Sequence, residues 1–220
     1  MKNVPTFKTL ILTAALAAGL SSPAFADDTA APAAAPAPAA AVDNGHGLLG
    51  QNYANLGYHY TDYTDSSLHS DSLDFTLNQG IRDGLDTMFE YGYTRSSDTG
   101  IGRVTQQQAD VGARAYTNFQ GFKPYVEAGL GWGWQHAPAV EHKSSFIWFG
   151  GVGAEFQVAK DLSVTPLVRY SYADRFTSHG EWDYGVKANY WVTEKIGLQV
   201  SLLRDNTRDL SYGAGINFRF

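Results

Sequence analysis

The last eleven residues, 210–220, constrain the fold of this chain more than any other stretch. Every second residue there is apolar, and the residues between are small or polar; the apolar set is Leu210, Tyr212, Ala214, Ile216, Phe218 and Phe220. A strict period of two predicts a β-strand with one face in an apolar medium and the other in a polar one. Such a strand would be aggregation-prone at the edge of a soluble sheet. We therefore expect the upstream chain to close on it.

Nine further runs of the same alternation precede this strand. They cover residues 54–60, 73–78, 87–93, 109–116, 126–134, 146–158, 162–172, 182–190 and 196–202. Together they predict an all-β fold, a single antiparallel up-and-down barrel of ten strands. Eight strands are the alternative, which would require two well-separated runs to merge. Pro166 lies inside the seventh run and cannot donate to a strand ladder, so we expect a bulge or a strand boundary near it.

The aromatic residues indicate which medium the apolar face meets. Odd-numbered runs carry aromatic residues near their ends, and runs six and eight carry them near their starts. Because neighbouring strands run antiparallel, these aromatic residues would all lie on one rim of the barrel. They are Tyr58, Tyr60, Tyr91, Tyr93, Trp132, Trp134, Phe146, Trp148, Tyr170, Tyr172, Trp182 and Tyr184. The opposite rim would carry Phe156, Tyr190, Phe218 and Phe220. Two aromatic belts around an apolar band are typical of a barrel that spans a bilayer. The sequence therefore predicts a transmembrane barrel and not a soluble one.

With these features, the chain from about residue 50 to residue 220 resembles the small outer-membrane β-barrels of Gram-negative bacteria, the porin-like and opacity-type superfamily. The resemblance is in pattern and rests on no specific family motif. It implies an assembly signal in the C-terminal strand, formed by Tyr212, Phe218 and Phe220 and bound by the barrel-assembly machinery. It also implies that outer-membrane lipid surrounds the barrel and that both termini are periplasmic. The sequence identifies no extracellular partner.

The first 49 residues predict export and tethering. Residues 1–26 have the form of a cleaved signal peptide, with Lys2 and Lys8 before a short apolar run and Ala24-Phe25-Ala26 as the cleavage site. Residues 27–49 are rich in Ala and Pro, which predicts a disordered periplasmic tether. The barrel domain then occupies residues 50–220. We expect deletion of residues 31–42 to leave the barrel folded.

Composition excludes several functions. Cleavage would remove two lysines and leave 14 basic against 22 acidic residues, a net charge of −8, which argues against nucleic acid as a partner. The chain has no Cys, so it has neither a disulfide framework nor a cysteine lipid anchor. Nothing in the sequence indicates a cofactor.

The predicted inner face carries seven charged residues, which suggest what the lumen does. Glu90 and Asp110 fall near mid-height, with Arg169 and Lys187 on the opposite wall; Arg114, Glu127 and Glu155 fall lower. Such charges must be paired or hydrated, and the glycines of strands five and six would leave room beside them. We consider a narrow passive channel for ions or small polar solutes first. The alternative is a non-conducting structural or surface-interaction barrel with a salt-bridged lumen.

The predicted loops offer little chemistry. His69, His136, His142 and His179 are scattered through them without metal-ligand spacing, so we predict no metal site. His142-Lys143-Ser144 weakly resembles the His-x-Ser element of lipid A deacylase barrels, but no third group that would orient the histidine is evident. The loops and strands are also too short for the tall walls of omptin-like proteases. A lipid-active enzyme is thus a distant alternative, and we expect no catalytic residues.

Overall fold

Ten strands account for nearly all of the described chain. The structure is a computed structural model, and it describes residues 47–64, 66–98, 100, 102–138, 142–176 and 180–220. The strands are β1 (Tyr53–Asp62), β2 (His69–Arg82), β3 (Leu85–Ser96), β4 (Thr105–Tyr116), β5 (Phe122–His136), β6 (Lys143–Ala159), β7 (Leu162–Ala173), β8 (Glu181–Trp191), β9 (Ile196–Asp205) and β10 (Leu210–Arg219). No helix among the described residues is long and apolar enough to cross a membrane.

The ten strands form one closed barrel in which each strand pairs antiparallel with its sequence neighbours. β1 and β10 close it, in a register that runs from Tyr53 opposite Arg219 to Asp62 opposite Leu210. The prediction of an all-β, ten-stranded up-and-down barrel is confirmed, and the eight-strand alternative is wrong. Because the strand number is even, β1 begins and β10 ends at the same side, which we call the terminal end. The opposite side is the loop end.

Alternation along each strand separates the two faces. In β1, Asn55 is 3% exposed and points into the barrel, whereas its neighbour Leu56 is 57% exposed and points out. β10 likewise has its polar residues inside and its apolar residues outside: Asn217 is fully buried and Phe218 is 46% exposed. The polar face is therefore the interior and the apolar face is the outer surface, which suits a barrel surrounded by lipid.

Connections differ in length between the two ends. At the terminal end two connections, residues 83–84 and 160–161, are two-residue turns, and the other two are residues 117–121 and 192–195. At the loop end six residues separate β1 from β2, eight separate β3 from β4 and seven separate β7 from β8. Gly84 closes the first turn with a φ of 78°, a conformation that glycine adopts without a steric cost.

The expectation of a break at Pro166 is wrong. β7 runs through it without interruption, and Pro166 stays in register with Val186 of β8. The irregularity in the pairing of β6 with β7 lies between Gln157 and Ala159, beside the turn. Pro166 is exposed on the outer surface, so its ring meets no interior side chain. Its missing N–H coincides with a gap in the ladder to β6, which has no pair at Thr165 or Pro166 although the register on both sides is the same.

Candidate functional site: the lumen

An ion pair between Arg169 and Glu90 crosses the middle of the lumen. The structure places the seven predicted lumen charges on inward positions of their strands: Glu90, Asp110, Arg114, Glu127, Glu155, Arg169 and Lys187. Further charged residues also face inward, among them Asp74, Asp86, Lys123 and Asp183. Nη1 of Arg169 on β7 lies 3.0 Å from Oε2 of Glu90 on β3. The Arg169 side chain is fully buried and that of Glu90 is 17% exposed. These two groups are therefore in direct contact and are not separated by a column of water.

Phe149 fills the space beneath this pair. Its ring, 2% exposed, lies 3.6 Å from the guanidinium carbon of Arg169, within the range of a cation–π interaction. A Cβ added at Gly129 would lie 2.3 Å from this ring, and one at Gly112 would lie 2.9 Å from it. The expectation that the β5 glycines leave open room is thus wrong at Gly129, because its missing side chain makes room for Phe149.

A second buried ion pair lies nearer the terminal end. Arg114 and Glu127 are cross-strand neighbours on β4 and β5, and Nε of Arg114 donates to Oε2 of Glu127 at 2.7 Å. The guanidinium also lies 4.9 Å from the ring centroid of Tyr125. Glu127 is 1% exposed. Its charge is compensated by Arg114, as a buried carboxylate requires.

The segment 47–51 enters the terminal end and binds to the lumen wall through its backbone; we call it the terminal plug. The Leu48 N–H donates to Oε2 of Glu155 at 2.6 Å, and the Gly50 N–H donates to Oδ2 of Asp86 at 3.0 Å. In return, Nζ of Lys123 donates to the Leu49 carbonyl at 3.1 Å. Polar groups of the plug that face the lumen are thereby satisfied.

Apolar contacts also hold the terminal plug in place. Leu49 packs with Tyr116, Tyr125, Leu167 and Leu203, and Leu48 packs with Tyr53 and Trp191. Both leucines are under 9% exposed. The predicted tether boundary at residue 49 therefore falls too late, since Gly47–Leu49 belong to the packed barrel. The rest of the predicted signal peptide and tether lies outside the described residues.

A cavity of about 80 Å³ occupies the lumen on the loop side of the central ion pair; we call it the loop-side cavity. Its lining includes His59, Asp74, Glu90, Gly92, Gln108 and Asp110, from β1 to β4. Nε2 of His59 lies 2.9 Å from Oδ1 of Asp74, and the amide of Gln108 donates to Oδ2 of Asp110 at 2.5 Å. Across the lumen, Lys187 has Glu90 and Asp74 as its main acidic neighbours.

Sequence reasoning did not single out several of these residues. Phe149 and Ile147 occupy inward positions of β6. They were overlooked because they alternate with Phe146 and Trp148, which were assigned to the outer aromatic belt. The strict alternation of inward and outward positions along the strand would have identified them. Phe176 lies in the loop after β7, where no periodicity exists, yet it packs with Ile147 and Ala173 inside the barrel.

Three of the four loop histidines lie in the described part of the chain, and each stacks on another ring. The rings of His136 and His142 stack with centroids 4.2 Å apart, whereas His69 stacks on Tyr60, and His179 lies outside the described residues. Within the described part of the chain, no group of three or more His, Cys, Asp or Glu could hold a metal ion.

The predicted belt aromatics occupy the outer surface. Those on β6, β7 and β8 contact one another near the loop end, with ring centroids 5.3 Å apart for Trp148 and Tyr170 and 5.0 Å apart for Tyr170 and Trp182. The others follow the outward positions of their strands: Tyr58, Tyr60, Tyr91, Tyr93, Trp132, Trp134, Phe146, Tyr172 and Tyr184. Tyr212, Phe218 and Phe220 are each more than 40% exposed. Their places are compatible with interfacial belts.

Comparisons with known proteins point to one class. A family model described as "Outer membrane protein beta-barrel domain" matches residues 12–220. Among solved structures, an outer membrane channel from Pseudomonas putida F1 is similar, with a TM-score of 0.52, 13% identity, and coverage of 80% of this chain and 97% of that one. The N-terminal β-barrel domain of Pseudomonas aeruginosa OprF matches with a TM-score of 0.43 and 15% identity, over 78% of this chain and 99% of that one. Neisserial surface protein A matches with a TM-score of 0.44 and 12% identity, over 76% of this chain and 95% of that one.

No curated protein matches the chain significantly. The match to the Pseudomonas putida channel, at 13% identity, shows the fold alone. What the lumen does must therefore be argued from its own contacts.

Proposed function

Because the chain belongs to the outer membrane protein β-barrel family, we propose that it is a closed, non-conducting barrel of the outer membrane with a structural or surface-interaction role. The contact between Arg169 and Glu90 is the observation that carries this proposal. At 3.0 Å it joins strands β7 and β3 across the lumen, and Phe149 packs directly beneath it. A hydrated pore between charged walls would need these groups to be separated by water.

The terminal plug supports the same function independently. Its leucines pack between interior aromatics, and its backbone binds Glu155, Asp86 and Lys123. An ion that entered from the loop end would have to displace the central ion pair and then the plug. Each step would leave buried charges or backbone groups without partners, which costs several kcal/mol.

The proposal includes an orientation. Exported barrels of this class place short turns in the periplasm and longer loops outside the cell. We therefore assign the terminal end, with its two-residue turns, to the periplasm and the loop end to the cell surface. The C-terminal strand would bind the barrel-assembly machinery, and residues 1–26 would be removed on export. No catalysis is part of this proposal.

A narrow passive channel is the second candidate, and the loop-side cavity is the observation that favours it. The cavity supplies about 80 Å³ of open space, which would form the outer part of a pathway. Conduction would then require Arg169 to move away from Glu90 and the terminal plug to leave the lumen.

Solute uptake by liposomes distinguishes the two candidates. The folded barrel is inserted into liposomes, and swelling is followed by light scattering in isotonic solutions of small sugars and amino acids. The proposal predicts swelling no faster than in protein-free liposomes. A general porin serves as the positive control, and a heat-modifiable gel shift verifies that the barrel is folded. Rapid swelling by the wild-type protein would favour the channel.

A further inference from the structure

Two histidines face each other across the hairpin that joins β5 and β6. Gln135 pairs with Lys143 at the end of the paired segment, so His136 and His142 occupy the next opposed position. Opposed residues of two antiparallel strands have Cβ atoms about 4.5–5.5 Å apart. The two imidazole rings stack, with their centroids 4.2 Å apart. The hairpin therefore holds two imidazoles side by side at the loop end.

The ring nitrogens of this pair have the separation of two ligands on one metal ion. Nδ1 of His136 lies 3.0 Å from Nδ1 and 3.2 Å from Nε2 of His142. Imidazole nitrogens bind Zn²⁺ at about 2.0–2.1 Å, so two of them at an angle of about 90–109° around the ion are about 2.9–3.4 Å apart. A hydrogen bond between the rings satisfies one of the two contacts at most.

Both rings are free to turn toward a shared ion. The planes of the two rings are 26° apart, so a rotation is needed before both lone pairs converge on one point. His136 and His142 are exposed, and exposed side chains change rotamer readily. Both also line an open groove of about 720 Å³, together with Thr105, Gln135 and Ser144. The groove leaves room for an ion and for water on its remaining coordination positions.

We propose that His136 and His142 together bind one divalent transition-metal ion, with Cu²⁺ bound most tightly. Imidazole is a good ligand for Cu²⁺, Ni²⁺ and Zn²⁺, and a given nitrogen site binds Cu²⁺ with the highest affinity of the three. Mg²⁺ and Ca²⁺ prefer oxygen ligands and should not compete. Along the sequence the two histidines are not at a metal-ligand spacing, and only the hairpin makes them neighbours.

The small number of protein ligands determines the character of the site. No group of three or more His, Cys, Asp or Glu in the described ranges could hold a metal ion, so water must complete the coordination. Lys143 lines the same groove, and its exposed, flexible side chain can direct the ammonium group away from the ion. The ion therefore exchanges with the medium at the loop end. The site does not depend on whether the lumen conducts.

Binding is measured by titrating Cu²⁺ into the folded full-length barrel in detergent micelles, in a buffer that does not bind metal ions. Calorimetry gives the affinity and the number of ions bound, and electron paramagnetic resonance counts the nitrogen ligands. We expect the most tightly bound ion to carry two imidazole nitrogens. Zn²⁺ should bind the same site more weakly, and excess Mg²⁺ should leave Cu²⁺ binding unaltered.

Three variants test the assignment. His136→Gln and His142→Gln each leave one imidazole of the pair, and each should weaken binding of that ion by about tenfold or more because the second ligand no longer acts at high effective concentration. His69→Gln is the matched control, since His69 is a loop-end histidine that stacks on Tyr60 and lies opposite Asp62. It should leave the affinity unaltered. The heat-modifiable gel shift verifies that every variant is folded.

Independent binding by the two histidines gives a different result. Each single variant would then reduce the number of ions bound and leave their affinity unchanged. That result would overturn the proposal, as would an absence of saturable binding to the wild type or a spectrum with one nitrogen ligand. An equal loss of affinity in His69→Gln would also overturn it, because the ion would then not be specific to the His136–His142 pair.

Discussion

Arg169 and Glu90 meet at 3.0 Å although they stand on β7 and β3, which are not neighbours in the barrel. Cross-strand pairs fix the register of adjacent strands, but this contact connects distant walls. It also brings two opposite charges into direct contact in the interior of the barrel. The consequence is a lumen that is filled by its own side chains at mid-height.

Replacement of Arg169 tests the energetic role of the central ion pair. Arg169→Met should lower the free energy of unfolding by about 3 kcal/mol, because Glu90 loses its guanidinium partner in a mostly buried place. Urea unfolding in micelles, followed by tryptophan fluorescence, measures the change. The double variant Arg169→Met/Glu90→Gln removes both charges and should recover a large part of the loss. A single variant as stable as the wild type would show that the pair is hydrated.

Two phenylalanines on one strand provide a matched comparison. Phe149 packs inside the barrel against Arg169, and Phe146 is 47% exposed on the outer surface. Phe149→Ala should cost about 3 kcal/mol because it opens a cavity in the lumen, and Phe146→Ala should cost less than half of that. The same urea measurement compares them. Equal losses would contradict the assignment of Phe149 to a packed interior.

The terminal plug should be released by one buried charge. Leu49→Asp places a carboxylate among Tyr116, Tyr125, Leu167 and Leu203, an apolar cluster in which the charge loses its hydration. Thermolysin, which cleaves before leucine, should then cut at Leu48 much faster than in the wild type. Deletion of residues 31–42 is the control and should leave both cleavage and the gel shift unaltered. Equal protection of Leu49→Asp and the wild type would show that the plug is held in some other way.

Removal of Phe220 should separate assembly from stability. Phe220 is 69% exposed, and its N–H donates to the Asn52 carbonyl at 3.2 Å, so the folded barrel gains little from its side chain. We expect deletion of Phe220 to reduce the amount of barrel inserted in cells. Refolding into micelles and the urea midpoint should change little. A matching loss in the purified protein would assign Phe220 a structural role and not a signalling one.

The fold could be predicted from the sequence because it depends only on the alternation of apolar and polar residues along each strand. Period-two alternation in ten runs defines both the strands and their outward faces, as the contrast between Asn55 and Leu56 illustrates. Parity also places the charged residues on the inner wall. It gives no information on which side chains meet across the lumen, because those contacts depend on strand stagger and on side-chain length.

The filling of the lumen was therefore the part that the sequence could not supply. The glycines of β5 suggested free space, yet at Gly129 the space is used by Phe149 from β6. The terminal plug was missed for a different reason. Leu48 and Leu49 follow a segment without periodicity, and only tertiary contacts to Glu155 and the interior aromatics reveal that they belong to the barrel.

Single-molecule conductance tests the central claim most directly. The folded wild-type barrel is added to a planar lipid bilayer in concentrated potassium chloride, and insertion is verified independently by protease protection of the recovered membrane. The closed lumen predicts no unitary current steps across the range of applied voltages. Reproducible steps of fixed size from the wild-type protein would contradict the account, since they would require water and ions to pass between Arg169 and Glu90.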